Sequence, residues 1–145
     1  MQRETLALRT IRHTTPWVIS LQRILIVDDD SYILRTFSSV LTKKGFEVET
    51  SETGKQALDK LKHSSFDLAL IDVCLPDMNG TELLSKAKKE LEKTVKIMVT
   101  GHPSSETSDK ASFEGADTYI VKPIKMDELV SVVKFFLKPK TDKNQ

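Results

Sequence analysis

A single cysteine, Cys74, excludes an intrachain disulfide and a cluster of thiolate metal ligands. An excess of one charge sign is also missing. With 22 basic and 21 acidic side chains the formal net charge is +1, which gives no electrostatic reason to expect direct binding of nucleic acid or of an anionic membrane. No apolar run approaches the roughly 18–20 residues that cross a bilayer. The chain has neither an internal repeat nor a low-complexity stretch. Residues 1–22 hold Arg3, Arg9 and Arg12 but lack the continuous apolar segment and small-residue cleavage site of a secretory signal. What is present is an ordinary globular composition, 39% hydrophobic and 30% charged, in 145 residues that suit one domain. A cytoplasmic protein without membrane contact is the expectation.

The first 22 residues stand apart from the rest. Pro16 would end any helix shared by Leu8 and Ile11. The segment reads as a loosely ordered extension, with a packed or binding segment as the alternative. No methionine lies between Met1 and Met78, so a shorter start would need a non-Met codon near Val18 or Leu21.

From Arg23 the pattern is regular. Arg23 to Val27 is a short apolar run suited to a strand covered on both faces. Asp30 or Ser31 caps the next helix, where Ile33, Phe37, Val40 and Leu41 recur at helical spacing, and Gly45 stops it. Phe46 to Thr50 alternates like an edge strand. A helix over residues 54–63 turns Ala57, Leu58 and Leu61 inward. Asp67 to Ile71 is the central strand, and Asn79 caps a third helix striped by Leu83, Leu84, Ala87 and Leu91. Lys86, Lys88, Lys89 and Lys93 form its solvated face. Val95 to Val99 and Tyr119 to Val121 are further strands, with a weak helix over 104–114 between them. A last helix over 126–137 carries Met126, Leu129, Val130, Val133 and Phe136 inward. Five strands alternating with five helices predict an α/β domain over residues 23–138, a parallel sheet with helices on both faces. Residues 139–145 are a polar tail.

The chemistry gathers at the strand ends. Ile24 to Val27 runs into Asp28-Asp29-Asp30, the central strand into Asp72, Val95 to Val99 into Thr100, and Tyr119 to Val121 into Lys122. In open α/β sheets ligands collect outside the carboxyl ends of the strands. Like charges near 4 Å repel by about 4 kcal/mol at an effective dielectric near 20, so carboxylates gathered there require a cation or a proton. Oxygen donors with water favour Mg²⁺ or Mn²⁺ over zinc. Lys122 and Thr100 add an ammonium and a hydroxyl suited to phosphoryl oxygens, with Asp72 as nucleophile. Taken singly, each of these residues has an ordinary role as a helix cap, a strand end or a surface lysine. Their joint occurrence at four strand ends carries the functional reading.

In these pieces the chain resembles a response-regulator receiver domain of the CheY-like family over residues 22–138. The matching stretches are Ile24 to Asp30, Ile71 to Gly80, Ile97 to His102 and Tyr119 to Pro123. The resemblance implies a doubly wound, flavodoxin-like sheet of order 2-1-3-4-5. It implies phosphorylation of Asp72 by a histidine kinase or phosphotransfer protein, in a two-component phosphorelay rather than as an enzyme acting on an outside substrate. It further implies Mg²⁺ held by Asp29, Asp72 and the Cys74 backbone carbonyl, with Asp28 assisting through water. Thr100 would hydrogen-bond the phosphoryl group and Lys122 would pair with it. Tyr119 matches the aromatic switch position, the Lys122-Pro123 bond is expected to be cis, and Gly101 leaves open space beside the site. Asn79 stands where Asp is more usual, and Cys74 and His102 occupy the two variable positions that bear on the lifetime of the phosphoryl group.

A phosphohydrolase of the haloacid-dehalogenase type, using Asp28 and Asp30, is the alternative. It leaves Asp72 without a task and lacks a later acidic motif, having only Asp127 and Glu128 on a helix. The residues after Pro123 are too few for a DNA-binding or enzymatic output domain, so the expectation is either a receiver that acts alone through protein contacts or a piece of a longer protein. Val132 and Phe135, three apart on the last helix, fall beside its buried stripe toward solvent. They are a candidate interaction patch, including for a phosphorylation-dependent homodimer.

Overall fold

The structure, a computed structural model, describes residues 20–101 and 115–138. The N-terminal extension up to residue 19, His102, the weak helix expected over 104–114 and the tail beyond 138 lie outside the described residues. Strands β1 (Arg23–Val27), β2 (Glu47–Ser51), β3 (Leu68–Asp72), β4 (Val95–Thr100) and β5 (Thr118–Val121) form one sheet of order β2-β1-β3-β4-β5. Every pairing is parallel. Helices α1 (Ser31–Lys43), α2 (Gly54–His63), α3 (Gly80–Lys86) and α4 (Met126–Phe136) provide the described crossover helices and the C-terminal cover.

Side chains alternate across each strand, so the three inner strands β1, β3 and β4 feed two separate cores. Leu25, Val27, Ala69, Ile71 and Met98 pack against α2 and α3. Ile24, Ile26, Leu70, Ile97 and Val99 pack against α1 and α4 on the opposite face. Because β1 and β3 are covered on both sides, their sequences are continuous apolar runs. Their polar residues are confined to the ends, which is where a site can form.

Local signals set the helix boundaries. The Asp30 carboxylate accepts the Tyr32 and Ile33 N–H groups at the start of α1. Gly45, at φ +99°, follows its C-cap in a backbone region that favours glycine. Thr53 caps α2 through the Gln56 N–H.

Several expectations shift in detail. The buried line of α1 is Leu34, Phe37 and Leu41, with Ile33 only half-buried, because the helix rests on the sheet through an i, i+3, i+7 row. Helix α3 ends at Lys86, and Ala87 and Leu91 reach the core from the turns that follow. Asn79 occupies the N-cap of α3 without a side-chain capping bond; the first-turn Gly80 N–H goes to the Val73 carbonyl, and the segment pairs back onto Cys74. On α4, Leu129, Val133 and Leu137 are buried, while Met126, Val130 and Phe136 are half-buried. Val132 is half-covered against the core rather than turned to solvent, and Phe135 is exposed.

Candidate functional site

Strand parity and register bring the charged residues together. In β1, Asp28 follows with the parity of Ile24 and Ile26; in β3, Asp72 has the parity of Leu68 and Leu70; after β5, Lys122 has that of Ile120. All three therefore emerge on the α1–α4 side of the sheet. The pairing Val27↔Ile71 sets Asp28 beside Asp72. The Lys122 Nζ lies 3.2 Å from Asp28 Oδ2 and 3.5 Å from Asp72 Oδ2, bridging both carboxylates. Asp28 and Asp72 are buried, and Asp29 beside them is exposed. Thr100, also buried, ends β4, and its carbonyl accepts the Lys122 N–H at 2.8 Å, fixing the two residues to each other through the backbone. The Lys122-Pro123 peptide is cis.

Two buried carboxylates share one ammonium, and the imbalance shows in the protonation of Asp72. Burial pushes the Asp72 carboxyl above its ordinary value, and the Asp28 charge pushes it further; Lys122 and the Cys74 N–H, 3.3 Å from Oδ1, pull the other way without cancelling the rise. Burial draws the Lys122 ammonium down, but Asp28 and Asp72 together outweigh it and hold its pKa above the usual lysine value. Lysine is thus firmly cationic, and negative charge remains in surplus.

That surplus has the form of a hard-cation site. One carboxylate oxygen from each of Asp28, Asp29 and Asp72 lies within 4.8 Å of the others. An all-oxygen set with an exposed flank fits Mg²⁺, which keeps water and takes few carboxylates. The Cys74 thiol is exposed and stands outside the set.

The loop after β3 is folded tightly upon itself. The Gly80 N–H donates to the Val73 carbonyl, Leu75 N–H to the Met78 carbonyl, and Cys74 bridges Asn79. A Cβ on Gly80 would strike the Asp72 carbonyl oxygen and come within 2.7 Å of Met98 Cε, so only glycine lets α3 start this close to the strand end. Asp77 was not singled out by the sequence. Its Oδ1 and Oδ2 accept the Gly54 and Lys55 N–H groups at 2.8 and 2.9 Å, and the Gly54 bond, then the Lys55 bond, hold its carboxyl below the ordinary value. The bond spans more than twenty residues of sequence, and no local pattern could have revealed it.

Two apolar grooves of about 570 Å³ flank the site. One, lined by Tyr32, Ile33, Phe37, Ile124 and Met126, opens beside Lys122 and Gly101. The other runs along β5 and α4 and includes Tyr119, Val121, Val132 and Phe135. Tyr119 is 44% exposed there, on the outer side of β5. Among the described residues no helix is long and apolar enough to cross a membrane.

A family model described as the response regulator receiver domain matches residues 24–134. The chain is 33% identical over 109 residues to the cell cycle transcriptional regulator CtrA of Caulobacter vibrioides, covering 75% of this chain and 47% of that one. It therefore spans about half the length of that relative. A response regulator receiver domain protein (CheY-like) from Methanospirillum hungatei has a similar structure, with a TM-score of 0.79 at 47% identity, covering 81% of this chain and 94% of that one. The BeF3-activated DrrB receiver domain matches with a TM-score of 0.75 at 34% identity, over 82% and 99% of the two chains.

The raised carboxyl makes a prediction about the metal-free protein. Because the folded pKa of Asp72 lies above its ordinary 3.8, the folded state holds this proton more tightly than the unfolded state. The resulting stability is complete below about pH 3.8 and is lost as pH rises through the folded value. Ionised Asp72 is then a net cost at pH 7. In chelator-treated protein, Asp72→Asn should raise the melting temperature at pH 7 by roughly 2–4 °C, the scale of about 1 kcal/mol in a domain of this size. The gap should close as pH falls toward 4. Equal melting temperatures at both pH values would mean that Lys122 already balances the pair.

Proposed function

The chain belongs to the response regulator receiver domain family, and on that premise we propose that it is the phosphoacceptor of a two-component phosphorelay, with Asp72 as the residue that is phosphorylated. The observation that carries this reading is the pairing of buried Asp28 and Asp72 through Lys122 at the carboxyl edge of the sheet, with Asp29 completing an oxygen-donor set. The hydrolase reading through Asp28 and Asp30 loses its ground with the family assignment.

In the proposed reaction an Asp72 oxygen attacks the phosphorus of a phosphohistidine on a kinase or phosphotransfer protein. The P–N bond breaks and its electron pair returns to the imidazole. Asp29, Asp72 and the Cys74 carbonyl would hold Mg²⁺, with Asp28 assisting through water, and the ion would supply positive charge for the phosphoryl oxygens. Lys122 stays within reach of both carboxylates and turns one of its N–H groups to the phosphoryl group. Thr100 donates its hydroxyl to the same group. Most of the catalysis is alignment and charge compensation, so the chain acts on itself and turns over no separate substrate. Residues 23–138 form this receiver, 1–22 an extension and 139–145 a polar tail, and the protein works in the cytoplasm.

The groove beside Lys122 supports the donor side of this reading, since it opens next to the ammonium that pairs with Asp72 and offers Tyr32, Ile33 and Met126 to a docked donor. The β5–α4 groove supports the output side. Phosphorylation draws Thr100 inward, Tyr119 leaves its outer position to follow, and the surface bearing Val132 and Phe135 is remodelled for a partner or a second copy. The shift is limited to the preference of that partner for the phosphorylated state.

Two measurements test this. With Mg²⁺ and acetyl phosphate, the chain should gain one base-labile phosphoryl group, mapped by mass spectrometry to Asp72, and Asp72→Asn should abolish it. Undiminished labelling of that variant, localised to Asp28, would overturn the assignment. Sedimentation with beryllofluoride should show association of the wild type at least tenfold tighter than without it, corresponding to about 1.4 kcal/mol of coupling. The Val132→Lys, Phe135→Glu double variant should lose that gain; association that survives the double change would place the interface elsewhere.

A further inference from the structure

We propose that Asp77 is a positioning residue for the divalent cation: by latching the β3–α3 loop to the first turn of α2, it sets where the Cys74 carbonyl stands. This deepens the phosphoacceptor reading and rests on its assignment of that carbonyl as a metal ligand. The loop that carries the carbonyl is short and is bound at both ends. At the β3 end, Val73 donates its N–H to the Val99 carbonyl at 2.9 Å and accepts from Gly80 at 2.6 Å. At the far side, Leu75 N–H meets the Met78 carbonyl at 3.1 Å and closes a turn over Pro76 and Asp77. Those bonds shape the loop, with Val73 and Leu75 buried on either side of Cys74, but none of them sets its distance from α2.

Asp77 fixes it. Its two carboxylate oxygens each take a different backbone N–H of α2, from Gly54 and Lys55, at 2.8 and 2.9 Å. These are orphan donors of a helix start, and Thr53 already serves a third, that of Gln56. The carboxylate is favoured there by the helix dipole as well as by the bonds. A second contact acts in the same place: a Cβ on Gly54 would come within 2.5 Å of Met78 Sδ, so the loop seats closely on this turn of α2. A two-point bond and a close apolar seat hold the loop against α2, and Cys74 lies three residues before Asp77 on that loop. Partners that act through the ligand's supports govern metal affinity in other sites, at about 10–100-fold per partner.

The experiment uses the full chain as wild type, Asp77→Ala and Asp77→Asn. It measures Mg²⁺ affinity by calorimetry and acetyl phosphate labelling across a Mg²⁺ series. Asp77→Ala should raise the Mg²⁺ concentration for half-maximal labelling and the dissociation constant by roughly tenfold, near the lower end of that range. Labelling at saturating Mg²⁺ should stay within about twofold of wild type. Asn keeps one oxygen acceptor but sets an amide NH2 against the second backbone N–H, so Asp77→Asn should fall between wild type and Asp77→Ala or match the latter. A loss in Asp77→Ala that vanishes when the affinities are measured in high salt would assign the effect to long-range charge and overturn the latch. Unchanged Mg²⁺ affinity in Asp77→Ala would overturn it as well. So would a drop confined to the saturated rate. If the wild type itself takes up neither Mg²⁺ nor a phosphoryl group, the phosphoacceptor reading falls and the latch with it, a result distinct from every variant-specific failure.

Discussion

Two carboxylates held by one ammonium at the edge of a dry sheet are the constraint on which this molecule turns. Asp28 and Asp72 are buried, and Lys122 stands 3.2 and 3.5 Å from them. Such a grouping is unfavourable unless a further cation or a proton joins it, because taking charges out of water costs several kcal/mol per ion. The rest of the fold makes the arrangement tolerable. β1 and β3 are sealed on both faces by helices, so the strands cannot slip to relieve the repulsion without exposing core residues. The Lys122 N–H bond to the Thr100 carbonyl ties the backbone that carries the ammonium to the neighbouring strand. Stability is thus surrendered at one edge and regained in the two cores, as is common where a site must keep reactive charge.

The same constraint links the site to the surfaces around it. The ammonium that balances the acids is carried by the segment that also begins α4, so any change in charge at Asp72 acts on the connection between β5 and that helix. Tyr119 lies on β5 beside that connection, with Val132 and Phe135 facing it across a groove. On the opposite flank the loop from Val73 to Asn79 is tied to α2 by Asp77, so the two flanks of the site are held by different elements. A cation bound among the acids and a phosphoryl group on Asp72 would therefore be felt in separate directions.

Much of this was legible in the sequence, for identifiable reasons. Apolar runs ending in Asp28, Asp72, Thr100 and Lys122 marked the strands and their polar ends together, most cleanly for β1 and β3, because a strand sealed on both faces has no other place for polar groups. The helix over 54–63 was found to the residue, and its cap and inward face are local properties. Periodicity was less exact where burial is graded. Leu34 rather than Ile33 centres the α1 stripe, and Val132 is half-covered, since a helix face of this width includes flanking positions whose exposure depends on what lies opposite. Asn79 carried a capping side chain by composition, but makes no capping bond with it, and its segment pairs back onto Cys74. Asp77 and the closeness of Gly80 to Asp72 escaped altogether, because both are contacts between segments distant in sequence or packed backbone to backbone.

Where a phosphoryl mimic and a divalent ion settle tests the role of Asp72 most directly. A crystal structure of the full chain grown with Mg²⁺ and beryllofluoride would decide it. Beryllium should be bonded to an Asp72 oxygen, with a six-coordinate ion touching Asp29, Asp72 and the Cys74 carbonyl, and the Lys122 ammonium within hydrogen-bond distance of a fluorine. Beryllium bonded to Asp28 or Asp30, or an ion seated away from Asp72, would contradict that role.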